Sequence, residues 1–109
     1  MPRLPPALAA SATPRVLALL GDPPRTVLEL GFAGIHAMPL RLAGFDVTVV
    51  EPDPAHRGRA RERAGEVLDA PPPGVRFDAV VAPADADLSG VDAARAILVD
   101  AGGDASIAE

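Results

Sequence analysis

With 109 residues, 49% of them apolar, and no cysteine, the chain has room for one domain with a modest core. The lack of cysteine excludes disulfides, thiolate nucleophiles and cysteine-based zinc sites. A net charge of −5 gives little electrostatic pull on nucleic acid or anionic lipid.

The first twelve residues are rich in proline and alanine and read as a flexible segment ahead of one domain over 13–109. They imitate a signal peptide, but Pro5 and Pro6 interrupt the apolar part. No apolar run reaches the roughly 18 residues of a membrane helix, so a cytoplasmic protein is expected. Thr13 offers an N-cap, Pro14 suits the first helical position, and Val16, Leu17 and Leu20 form an inward stripe closed by Gly21. Asp22-Pro23-Pro24 then stops the helix.

Val27, Leu28 and Leu30 suit a buried strand, followed by the small-residue turn Gly31-Phe32-Ala33-Gly34. A short helix carries Pro39 in its first turn and ends at Gly44; a second strand, Val47–Val50, leads to Glu51. Strand, glycine turn, helix, strand and acid is the layout of a nucleoside-binding βαβ unit. The acid stands 20 residues beyond Gly31, close to the usual spacing of about 20. Each part has a physical task in such a unit. Glycine lets the backbone approach a ligand, the helix start offers N–H groups, and a carboxylate accepts both ribose hydroxyl hydrogens. An ordinary crossover whose glycines serve only the turn is the plainer reading.

Asp53 and Pro54 read as the cap and first turn of a helix reaching about Asp69, with Ala60, Ala64, Val67 and Leu68 on one face. Arg57, Arg59, Arg61 and Arg63 form two i,i+4 pairs that read as a solvated charged surface. The stiff linker Ala70–Gly74 leads to a strand over Phe77–Ala82. Asp85 and Asp87 follow the strand end, where a small loop could meet a ligand; solvated acids near a helix start are the plainer reading. Ser89 or Gly90 starts a predicted helix with Val91, Ala94, Leu98 and Ala101 spaced for burial, and Ala105–Ala108 forms a last short strand. His36 and His56 lack metal-ligand spacing, so no metal is expected, and no nucleophile–base constellation marks a catalytic residue.

Val27–Gly34 resembles the first motif of class I S-adenosylmethionine-dependent methyltransferases, an acid-x-Gly-x-Gly-x-Gly signature after a strand. Val49–Pro54, with Glu51, Pro52 and Asp53, is similar to that family's second-strand ending. The resemblance implies that Glu29 lies near the methionine end of the cofactor. It also implies that Gly31, Phe32, Ala33 and Gly34 line the middle of the cofactor and that Glu51 binds the ribose. Phe77–Ala82 resembles the family's fourth strand, whose end borders the methyl-transfer site. Ala33 stands where the family has its middle glycine, and Gly34 fits the third with one loop residue deleted.

The implied fold is a Rossmann-like three-layer αβα sandwich. Its small, mainly parallel sheet has about four strands, without the C-terminal part of a full methyltransferase. A further strand with an adenine-contacting acid, present in the family before Phe77, is not evident. Three functions remain open. One is an S-adenosylmethionine-binding, methyltransferase-like protein that needs a partner subunit or a homodimer for any transfer. Another is a non-catalytic interaction or oligomerisation module. The third is an NAD(P)-binding regulatory domain, against which stand Ala33 and His36 at the second and third glycine positions of its motif.

Overall fold

A computed structural model gives the structure of the chain and describes residues 12–23, 25–32, 34–63, 66–100 and 102–108. Residues 1–11 of the expected flexible segment over 1–12, and the turn residue Ala33, lie outside the described residues. The described residues form three helices: α1 (Thr13–Leu20), α2 (Ala37–Leu42) and α3 (Pro54–Arg63). The main strands are β1 (Thr26–Leu30), β2 (Asp46–Val50), β3 (Glu66–Leu68), β5 (Ala79–Pro83), β7 (Ala96–Val99) and β8 (Ala105–Ala108). They form a six-stranded sheet in the order β3-β2-β1-β5-β7-β8, parallel throughout except for the antiparallel pair β7–β8. Two short strands, β4 (Arg76–Phe77) and β6 (Asp92–Ala93), make a separate parallel ladder.

The chain therefore starts in the middle of the sheet, moves outward through β2 and β3, and returns past β1 to β5. Strand burial explains why these runs are nearly continuous in apolar residues: β1, β2 and β5 are covered on both faces. On one face Val27, Val47, Val49, Val81, Ile97 and Val99 pack with Val16 and Leu20 of α1, Ala37 and Leu40 of α2, and Ala60 of α3. On the other, Leu28, Leu30, Val50, Val80 and Ala82 pack with Phe77 and with Leu88, Val91 and Leu98. Among the described residues all three helices join the first cluster and none joins the second. Among the described residues the helices thus lie on one face of the sheet, with loops and the β4–β6 ladder covering the other, so the second helical layer of the expected sandwich is not shown. The sheet has six strands where about four were expected.

Several local expectations hold. α2 is short, carries Pro39 in its first turn, where a missing N–H goes unused, and ends before Gly44 at φ +104°. Asp53 caps α3, its Oδ1 accepting the Ala55 N–H at 2.9 Å. β8 forms where the last strand was expected.

Others are corrected. Ala12, not Thr13, is the N-cap of α1, and no side chain caps that helix. α3 ends at Arg63, and Glu66–Leu68 is a strand beside β2, not the end of a helix. The helix expected from residue 89 is instead β6 and β7. In Ala96-Ile97-Leu98-Val99 the branched side chains alternate across a buried strand, a pattern that outweighs the helical spacing of Val91, Ala94 and Leu98. Phe77 belongs to the small ladder rather than to β5, because Asp78 breaks the run. Its Oδ2 accepts the Thr26 N–H at 2.8 Å, which lowers the Asp78 pKa and ties the start of β5 to the start of β1.

Candidate functional site

The parallel register of β1 and β2 pairs Leu30 with Val50, so one step further Gly31 stands beside Glu51. This brings the candidate residues of both strands to the carboxyl edge of the sheet. β5 lies on the other side of β1, pairing Glu29 with Val81. The strand order reverses between β1 and β5, and in open α/β sheets ligands bind outside the carboxyl ends at such a switch point.

Glu29 and Glu51 are both fully buried, at 0% exposure, on the helix-bearing face. Glu29 sits between Val49 and Val81, and its Oε1 accepts the His36 N–H at 3.1 Å. The carboxylate thus anchors the turn that crosses above it. The neighbouring amides are also engaged: Ile35 N–H donates to Phe32 C=O, and Ala37 N–H to Gly34 C=O, each at 3.0 Å. The expectation that the start of α2 offers these N–H groups to a ligand is corrected, since the turn satisfies them itself. Glu51 behaves similarly. Its Oε2 accepts the Asp53 N–H at 3.0 Å, while its own N–H donates to Leu68 C=O of β3 at 2.8 Å. Pro52 and Asp53 are exposed, and Asp53 Oδ2 lies 3.6 Å from His56 Nε2.

Phe32 is buried, its ring meeting the His36 imidazole edge-on at a centroid distance of 4.8 Å. Gly34 is buried and Gly31 half-buried. Gly31 adopts φ +76°, and a Cβ added there falls 2.9 Å from the Pro83 ring. Only glycine fits the backbone conformation and the space at this position.

Thr13, Arg57 and Pro83 were not evident in the sequence as contributors to the site. Thr13 Oγ1 lies 2.8 Å from His36 Nδ1 and links α1 to the glycine turn across 23 residues. His36 is fully buried, and its Nε2 has no hydrogen-bond partner among the described residues. Burial pushes its pKa down from 6.5 to about 4, so the ring is neutral at pH 7. Arg57 donates from Nε to Glu51 C=O at 3.0 Å and from its guanidinium to Pro52 C=O at 3.1 Å, clamping the turn after β2. Pro83 closes over Gly31 from the end of β5. Only the arginine carried a signal, as one member of a charged run that otherwise faces solvent, as Arg59 and Arg61 do.

Asp85 and Asp87 are exposed, and Asp87 accepts the Ser89 N–H, which lowers its pKa. Asp69, exposed, directly follows β3. At the opposite, amino end of the strands a cleft of about 220 Å³ is lined by Thr26, Asp46, Thr48, Glu66, Leu68, Pro72, Val75, Arg76 and Phe77. Among the described residues no group of three or more His, Asp or Glu is placed to hold a metal ion. No described helix is long and apolar enough to cross a membrane. No family model, curated protein or solved structure matches this chain.

Proposed function

We propose that the chain is a Rossmann-like module that binds S-adenosylmethionine, a methyltransferase-like protein requiring a partner or second copy for any methyl transfer. The observation that carries this reading is the register that sets Gly31 beside Glu51 next to the β1/β5 switch point. In this reading Glu29, Gly31, Phe32, Ala33 and Gly34 border the methionine end and middle of the cofactor. Glu51 takes the ribose, with Pro52 and Asp53 beside it. In the same reading β3 takes the part of the family's further strand, and the exposed Asp69 that follows it would face adenine.

The residues fit the cofactor in placement, while their carboxylates are covered by protein. Glu51 is fully buried, so for a ribose to reach its carboxylate the 51–53 turn, held by Arg57, has to open on binding.

A second reading is favoured by a specific observation. Full burial of both acids, with Pro83 packed on Gly31, also suits a non-catalytic module in which these groups only hold the turn. Calorimetric titration separates the two. The first reading expects a heat of binding for S-adenosylmethionine that is at least about tenfold weaker in Glu51→Gln, a loss of about 1.4 kcal/mol. Circular dichroism checks that the variant is folded. No binding at millimolar cofactor overturns the first reading and leaves the second. Binding of NADH in place of the methyl cofactor points to the dinucleotide alternative.

A further inference from the structure

The two edges of the sheet differ. β3, at one edge, has three residues, includes exposed Glu66, and is followed by Asp69 and the prolines 71–73. Short length, charge and proline are the ordinary protections of an exposed strand. β8, at the other edge, is Ala-Ser-Ile-Ala, with neither charge nor proline, and Ile107 is 41% exposed.

The backbone direction of β8 follows from its ladder. Asp100 N–H donates to Asp104 C=O at 2.9 Å, closing the β7–β8 hairpin with a hydrogen-bonded pair. Alternation then makes Leu98–Ser106 and Ala96–Ala108 hydrogen-bonded pairs as well. The other side of β7 agrees: Arg95 C=O and Val99 C=O face β5, accepting from Val80 and Ala84. Asp104, Ser106 and Ala108 therefore turn their N–H and C=O groups toward β7. Ala105 and Ile107 turn theirs away, to a side where the described residues place no further strand.

We propose that this edge pairs with the same edge of a second copy, antiparallel about a twofold axis at Ser106, so that two six-stranded sheets become one. The pattern is self-complementary. Ala105 meets the partner's Ile107 through both backbone groups, and Ile107 meets the partner's Ala105 in the same way. Asp104 faces the partner's Ala108, so no like charges oppose each other. Moving the axis to Ala105 sets Ile107 against the partner's Gly103 in the hairpin turn and loses half of the pairing. Ala105 and Ile107 lie on the helix-bearing face, where α1 packs against β8 and β7. Pairing thus covers both Ile107 side chains and brings the two α1 helices alongside each other. This pairing is independent of what the carboxyl ends of β1 and β2 bind.

The native chain has no thiol, so a single introduced cysteine reports the register. Ser106 opposite its own copy is a non-hydrogen-bonded pair, with Cα atoms about 4.5 Å apart, within disulfide reach. Ser106→Cys is expected to oxidise to a covalent dimer, whereas Asp104→Cys stays reduced. In Ile107→Pro the lost N–H points away from β7, so the ladder inside the chain is kept. The parent is expected to sediment at twice its 11.1 kDa, and Ile107→Pro at that mass with an unchanged circular dichroism spectrum. If the proline variant fails to fold, Ile107→Lys is read in its place. A parent that remains a single chain at hundreds of micromolar overturns the proposal. So does a dimer that survives the folded edge variant, or an Asp104→Cys variant that crosslinks as readily as Ser106→Cys.

Discussion

Replacing His36 with Asn removes a buried imidazole that must stay neutral for the glycine turn to keep its packing. The ring is enclosed by Thr13, Phe32 and the turn above Glu29, and its pKa falls from 6.5 to about 4 on burial. Between those two values the unfolded chain binds a proton that the folded chain refuses. The unfolded state thus gains protons as the pH drops, and stability falls with it. The contribution of His36 is complete above pH 6.5 and is lost as the pH falls to about 4. At about 1.4 kcal/mol per pKa unit, the whole loss comes to about 3.5 kcal/mol. For a domain whose total stability is on the order of 5–15 kcal/mol, that is a large share. Denaturant unfolding at pH 7.5 and pH 4.5 on the parent and on His36→Asn measures it, because carboxylates titrating in the same window contribute to both proteins and cancel in the difference. The parent should lose about 2.5 kcal/mol more than the variant over this interval, which stops short of the folded pKa. Equal losses refute the reasoning, as does an imidazole that titrates near 6.5 in the folded protein by NMR.

Gly31→Ala places a methyl group 2.9 Å from the Pro83 ring at φ +76° and should cost about 2–4 kcal/mol in denaturant unfolding. Gly74→Ala has the same backbone constraint with no atom within 4 Å, and should cost only about 1 kcal/mol. Adding Pro83→Ala to Gly31→Ala should recover the difference between them. Arg57→Ala removes two hydrogen bonds that hold the turn after Glu51. It should raise hydrogen exchange at Asp53 relative to the strand amides and quicken S-adenosylmethionine association in stopped flow. An unchanged association rate alongside faster exchange separates the clamp from ligand entry.

The segment from β1 to the start of α3 was legible because several signals agree there: a buried strand, a proline-bounded short helix, a second strand and an aspartate cap. Beyond it they conflict. Glu66-Val67-Leu68 continues the apolar spacing of α3, so three residues of strand are indistinguishable from a helix end without knowledge of the β2 edge they pair with. Val91, Ala94 and Leu98 fall at helical intervals by accident, while the decisive fact is that Ile97 and Val99 lie beside β5. The candidate site shows the same division. Its residues could be placed at the ends of β1 and β2 from spacing. That their carboxylates bond inward to main-chain amides depends on how the turn folds back, and no periodicity records that. The Thr13–His36 link and the Pro83–Gly31 contact join segments too distant in sequence to leave a local pattern.

Amide chemical shifts recorded while S-adenosylhomocysteine is added test the central claim most directly, since they locate the ligand as well as detect it. The account predicts movements concentrated at Gly31, Phe32, Gly34, Glu51 and Asp53. Shifts confined to Thr26, Thr48 and Phe77 around the cleft at the opposite end of the strands, or none at millimolar ligand, would contradict it.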